Sequence, residues 1–470
     1  MEQRWKVLLI TSVGLFMASL DLFIVNIAFP DMAADFHGAS LPSLSWVLNA
    51  YAIVFAALLV PAGRIADRVG RKRVFIAGLL LFAVASGLCA VAPSIPFLVG
   101  ARVLQAAGGA MMLPTTLGLI LPAFPLEQRA LAIGIWSAVG GVAAALGPPI
   151  GGLLVQLSWR WIFVVNVPIG IVTAIVALRA LEEVREPEDG RPDLLGAAEL
   201  ALGIGLLTLG IVKGPDWGWA DPRALAAFAG AVVLVVAFVH RSARHSAPVI
   251  ELPLLRVRSF ALGNLAAAVF FAGFGAMLLS GVFLLTEVWG YSALKAGLAL
   301  SPGPLMAAVF AIPSGRLGGR IGQRPVTAAG GLTFAASFAL ILASVGSRPE
   351  YASAFLPWFM LGGAGVGMVL GTLPAAVTAS LPPERFATGT AVFGMARQIG
   401  AAIGVAALVA LLDDTTGGDL LAGLRRGWWF SLIAGLGTAA LALAFGPVGA
   451  RARQLEPEPE LDGLEGTAIP

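Results

Sequence analysis

Charge is scarce in this chain: only 12% of its 470 residues are Asp, Glu, Lys or Arg. A soluble domain carries about 25%, because its surface must face water. Half that amount cannot cover a globule of this size, so most of the surface must face lipid. Lysine is nearly absent. Lys6, Lys72, Lys213 and Lys295 are the full set, and none falls in a GxxxxGK[ST] pattern, so there is no phosphate-cradling loop for ATP. The single cysteine, Cys89, excludes a disulfide framework and a cysteine-rich metal site. His37, His240 and His245 read as connecting-segment residues and make no HExxH pattern. No GxSxG or catalytic-triad arrangement occurs, so an enzyme is not expected, and neither is a bound cofactor or metal. The net charge of +3 comes from basic residues that punctuate apolar runs. It is not the clustered patch of a nucleic-acid binder.

What remains is apolar. Hydrophobic residues make up 58% of the chain, mean hydropathy is +0.89, and the 58 glycines and 30 prolines fit membrane helices, which tolerate both. A bilayer core needs about 20 apolar residues of helix, and runs of that length recur fourteen times, from 7–29 to 427–449. The first is too long for a signal-peptide core and lacks a small-residue cleavage site, so it reads as a membrane span. The seventh and eighth, near 194–213 and 223–240, flank Gly214-Pro215-Asp216-Trp217-Gly218-Trp219. With the N-terminus placed inside, the inner connections hold 21 Lys and Arg residues and the outer ones seven. Cytoplasmic loops retain positive charge, so both termini are expected in the cytoplasm of a multi-pass cell-membrane protein.

The chain also repeats itself. Gly63-Arg64-Ile65-Ala66-Asp67-Arg68-Val69-Gly70-Arg71-Lys72 matches Gly315-Arg316-Leu317-Gly318-Gly319-Arg320-Ile321-Gly322-Gln323-Arg324 at an offset of 252, and Arg129 and Arg385 head a second pair at 256. Duplication marks a transporter fold. The expected division is a six-helix half over 1–182, a linker over 183–193, two additional helices over 194–245, a second six-helix half over 246–450, and an acidic, proline-rich disordered tail over 451–470.

The 63–73 stretch resembles the helix-two to helix-three loop of the major facilitator superfamily. Leu20-Asp21-Leu22-Phe23-Ile24-Val25-Asn26-Ile27-Ala28-Phe29-Pro30 looks like the first-helix signature of its fourteen-helix drug:proton antiporter branch (EmrB/QacA-like). Trp159-Arg160-Trp161-Ile162-Phe163 is similar to that branch's helix-six opening. Leu146-Gly147-Pro148-Pro149-Ile150-Gly151-Gly152 is similar to the helix-five antiporter motif, with Ala143 where that motif has a leading glycine. The resemblance implies an all-α polytopic fold of two six-helix halves plus two inserted helices. It also implies an exporter of small hydrophobic or cationic compounds, antibiotics among them, driven by a proton gradient, and working as a monomer in the lipid bilayer. An exporter of one dedicated metabolite or lipid, and a non-transporting sensor on the same scaffold, are the rival readings.

Asp21 is the acidic residue placed well inside a span. A carboxylate near the bilayer centre costs about 2.5–3.5 kcal/mol on insertion scales, which marks such a residue as functional. A carboxyl group favours its neutral form when buried alone and its ionised form beside a cation. One that alternates between these surroundings can carry a proton. Asp21 lies about 13 Å from the outer end of helix one and Arg102 about 9 Å from that of helix four, by helix rise. Their levels are compatible, so they are the expected coupling pair. A static ion pair and a substrate-contacting Asp21 are the alternatives. Gly63, Asp67, Arg68, Gly70 and Arg71 are expected to form a breakable latch between the halves. Gly147, Pro148, Gly151 and Gly152 read equally as a hinge or seal and as small-residue packing. Asn26, Gln105, Asn166 and Arg397 are candidate cavity residues. For Arg397, an anionic substrate group and pairing to backbone carbonyls are both open. Glu287 reads as an interfacial anchor or a cation site.

Overall fold

The computed structural model describes residues 2–36, 40–185, 192–378, 381, 386–413 and 419–445. The tail over 451–470, residues 186–191 of the linker, His37 and Arg385 lie outside the described residues. Every regular element among the described residues is helical. The first six are α1 (Gln3–Asp35), α2 (Leu41–Val69), α3 (Arg71–Ala90), α4 (Ile95–Ala123), α5 (Leu126–Val155) and α6 (Trp161–Ala180). Two follow, α7 (Leu194–Trp217) and α8 (Pro222–Ser242). The rest are α9 (Arg258–Val288), α10 (Ala293–Ile321), α11 (Gln323–Ser344), α12 (Tyr351–Thr378), α13 (Phe386–Asp413) and α14 (Leu420–Leu443). Thirteen are long and apolar enough to cross a bilayer. The fourteenth, α14, has comparable length but carries Arg425 and Arg426 near its start.

Boundaries follow local chemistry. Ser40, Asp193, Asp221, Ser292 and Asp419 accept hydrogen bonds from backbone N–H groups in the first turns of α2, α7, α8, α10 and α14, satisfying donors that a helix start leaves open. α7 runs through Pro215 to Trp217 and stops at Gly218, whose φ of 91° suits glycine. The helix thus takes in part of the segment expected to separate it from α8. His240 likewise falls in the last turn of α8 rather than in a connection.

The duplication is visible in the backbone. Gly70 and Gly322, 252 positions apart, both hold positive φ (125° and 97°) at the α2–α3 and α10–α11 turns. Gly78 and Gly108 bring α3 against α4, and Gly330 and Gly365 bring α11 against α12, each so close that a methyl group would strike backbone atoms opposite. Such contacts drive association where lipid tails remove the hydrophobic incentive.

The first and last sets of six helices meet along three seams: α2 with α13, α5 with α10, and α1 with α9. α7 lies against both α2 and α13, with α8 packed on it, and Val232, Val233 and Val236 of α8 are exposed. At the end opposite the start of α1 the seams close. The Phe29 and Phe283 rings meet edge to face at 5.7 Å, and α5 abuts the start of α10. At the end where α1 starts, α4 and α5 form no packed interface with α12 or α13 among the described residues. Leu131, Ile133 and Ile135 of α5 are exposed there. The bundle is sealed at one end and splayed at the other.

Candidate functional site

Asp21 of α1 and Arg102 of α4 are both fully buried, and Arg102 Nη1 donates to Asp21 Oδ2 at 2.5 Å. The pair is enclosed in a polar network. Gln105 Nε2 donates to Asp21 Oδ1 at 2.8 Å and to Ser86 Oγ at 2.9 Å. Asn166 Nδ2 approaches the same carboxylate oxygen at 3.4 Å. Arg102 also donates through Nε to the Val47 carbonyl at 3.0 Å and through Nη1 to Gln105 Oε1 at 2.6 Å. The guanidinium lies over the Tyr51 ring, 4.1 Å from its centroid. Two polar atoms of this cluster, Arg102 Nη2 and Asn166 Oδ1, are buried without a partner among the described residues. Helices α1, α2, α3, α4 and α6 each supply a member. An ion pair stripped of water is sustained only when its remaining donors and acceptors are occupied, and here nearly all are.

The expected coupling pair is therefore in contact, and two of the expected cavity residues, Gln105 and Asn166, belong to its surroundings. Asn26 does not: its Nδ2 donates to the Leu22 carbonyl one turn back at 2.8 Å. Ser86, Tyr51 and the Val47 carbonyl were missed by sequence reasoning. A serine, a tyrosine or a main-chain oxygen in an apolar run carries no signal until helix packing is known.

The loop residues divide the same way. Asp67 accepts from Arg71 Nε at 2.7 Å, Arg71 Nη1 donates to the Gly118 carbonyl of α4 at 2.9 Å, and a methyl on Gly63 would lie 3.5 Å from Pro114 Cβ. Arg68 is exposed. In this conformation the stretch joins α2, α3 and α4 to one another. Its neighbour Arg64 reaches across to the other half, 3.6 Å from Glu251 just before α9. Glu251 had no sequence signal.

The glycine–proline motif makes α5 a plate between two neighbours. A methyl on Gly147 would lie 2.5 Å from Phe23 Cβ, and one on Gly151 would lie 3.1 Å from Ile24 Cα, both on α1. A methyl on Gly152 would lie 2.5 Å from the Ala293 carbonyl oxygen, and Gly297 of α10 presses on the Pro148 carbonyl. One face of α5 packs on α1 and the other on α10. The Trp159-Arg160 stretch is a brace: Trp159 Nε1 and Arg160 Nη1 donate to Asp35 Oδ2 at 2.9 and 2.6 Å, tying the α5–α6 turn to the end of α1. Among the described residues no group of His, Cys, Asp or Glu is placed to hold a metal ion.

A duplicated, all-helical bundle of this kind, open at one end, with an ion pair buried between its helices, defines a polytopic membrane transporter. The chain belongs to the Major Facilitator Superfamily, whose family model matches residues 11–405 and 265–463. It is 35% identical to the Multidrug resistance protein Stp of Mycobacterium tuberculosis, over 86% of this chain and 75% of that one. It is 34% identical to the Probable actinorhodin transporter of Streptomyces coelicolor, over 90% and 75%. Tetracenomycin C resistance and export protein of Streptomyces glaucescens is 33% identical over 88% and 77%. Among solved structures, a D-xylose–proton symporter superposes with a TM-score of 0.70 at 13% identity, covering 95% of this chain and 99% of that one. A bacterial Spinster homologue in an inward-facing, unoccupied conformation gives 0.65 at 17%, covering 94% and 98%. As a transporter, the protein takes a small-molecule substrate and is not an enzyme.

Proposed function

We propose that the protein is a proton-coupled exporter of small hydrophobic compounds, antibiotics among them, acting as a monomer in the cell membrane. The observation that carries this reading is the fully buried Asp21–Arg102 pair inside a bundle sealed at one end. The excess of Lys and Arg in alternate connections supports a cytoplasmic position for the open end. The described conformation is then the one that loads substrate from inside. In it Asp21 is in contact with Arg102. When the halves rock and the cavity faces outward, a proton reaching Asp21 neutralises it. The returning bundle restores the contact with Arg102, and the proton leaves inward. Substrate leaves on the outward stroke. A net inward charge adds about 2.3 kcal/mol per 100 mV of membrane potential to the pH gradient, so neither ATP nor a cofactor is needed.

The contacts support the expected units: halves over 1–182 and 246–450, with the pair over 194–245 lying against the α2–α13 seam. The names of the relatives, which include both multidrug and single-compound exporters, support efflux as the activity. Everted membrane vesicles test it. Acidifying their interior should drive uptake of a fluorescent dye, collapse of the gradient by a protonophore should stop it, and Asp21→Asn should abolish it in protein still inserted at normal level. Undiminished uphill uptake by Asp21→Asn would defeat the proposal.

A further inference from the structure

Arg397 stands at the middle of α13, and no ion pair or hydrogen bond engages it among the described residues. It is half-buried, and its guanidinium carbon lies 5.6 Å from the centroid of the Phe271 ring on α9. Backbone carbonyls, one of the two partners expected from sequence, are therefore not its partners here. The other intramembrane arginine is neutralised by Asp21 at contact distance. Arg397 thus brings an uncompensated cation to membrane depth, and such residues face the bundle interior and mark the substrate path.

The surroundings fix where it sits. Gly400 and Gly404 press α13 onto the backbone of α9 at Ala268 and Ala272, while a methyl on Gly394 would lie 3.6 Å from Leu59 of α2. α13 is thereby wedged at the seam between the two halves, with Arg397 between its contact to one half and its contacts to the other. Phe271 is held in place by Phe270 and Phe274, which stand edge to face on it at 5.6 Å, so α9 sets one ring beside the guanidinium. An arginine fork binds a carboxylate through two parallel N–H donors, and flat apolar groups stack on aromatic faces.

We infer that Arg397 and Phe271 form a recognition site for planar aromatic acids, with the carboxylate on the guanidinium and the ring system against the Phe271 side of α9. This rests on the efflux reading and narrows it: the charge selected at the centre of the bundle is negative. Asp21, the carboxylate of the buried pair, is already held by Arg102 and Gln105.

The test uses the purified full-length protein and two probes with the same rings, 2-naphthoate and neutral 2-naphthamide, at pH 7.5. Wild type should bind naphthoate about tenfold more tightly than the amide, the worth of one desolvated charge-assisted contact. Arg397→Gln should bring the two to equal affinity while leaving naphthamide binding as in wild type, which also shows that the variant is folded. Arg397→Lys should restore part of the preference, because a point charge keeps the attraction and loses the fork. No preference in wild type, or an equal loss for both probes in Arg397→Gln, would overturn the site. The efflux reading is judged separately, by whether vesicles bearing the wild-type protein pump either probe against a gradient.

Discussion

The contact between α5 and α10 closes one end of the bundle, and a single methyl group should pry it open. In Gly152→Ala the new Cβ would start 2.5 Å from the Ala293 carbonyl oxygen. A comfortable C···O approach is about 3.3 Å, so the two helices must part by about 0.8 Å. Both atoms belong to rigid helix backbone, and neither can swing aside. Overpacking of this kind costs about 1–3 kcal/mol. The strain exists only while this end is closed, so it enters the equilibrium between the two conformations directly. At tenfold per 1.4 kcal/mol, the closed-end population should fall by about 5- to 140-fold relative to the alternative. Gly151→Ala supplies the control. Its Cβ meets Ile24 of α1 at 3.1 Å, within the same half, so it should lower stability without moving the halves. Spin labels at Leu157 and Arg348, both exposed at the sealed end on opposite halves, placed in a Cys89→Ala background, report the separation by electron-electron resonance. The long-distance population should grow in Gly152→Ala and not in Gly151→Ala. Identical distance distributions in the two variants would show that α5 packs against α10 without controlling access.

Three further outcomes are expected. Removing either partner of Arg64 and Glu251 should speed exchange between conformations, seen as hydrogen-exchange protection lost at the open end; stability should change by less than about 1 kcal/mol, since the pair is partly exposed. Gly70→Ala should destabilise the protein by about 1–3 kcal/mol in a thermal melt, because φ of 125° is a conformation in which a side chain is strained. Arg102→Gln leaves Asp21 buried without its cation, so a loss of about 3–5 kcal/mol is expected; the double variant with Asp21→Asn should be the more stable of the two.

The helix count and the duplication were open to reading because lipid imposes a length on every apolar run and a charge bias on every loop. Gly70 and Gly322 show why the repeat could be seen: a turn that demands positive φ admits one residue type, so the letter survives where neighbouring apolar letters are interchangeable. Asp21 and Arg102 were legible for a related reason, since a charge in hydrocarbon needs a partner and helix rise gives its depth. What surrounds them was not. Tyr51 beneath the guanidinium and Ser86 beyond Gln105 are placed by the rotation of α2 and α3 about their axes. α3 is apolar on all sides, so no periodicity reports its rotation, and periodicity along α2 does not say which neighbour its tyrosine meets. Glu251 was invisible for a third reason: its role depends on where a short connection lies against a helix end from the other half. Glu199 belongs with it. It sits in the second turn of α7, and its Oε2 is buried with no partner among the described residues.

The placement of α7 and α8 has a mechanical corollary. A twelve-helix clamshell has two equivalent long edges and can flex symmetrically about the line between them. Here one edge is splinted by α7, which grips α2 and α13 at once, while the α5–α10 edge has no such extra helix across it among the described residues. The splinted edge should serve as the spine and the bare edge as the mouth, so that cargo enters and leaves from one flank of the protein.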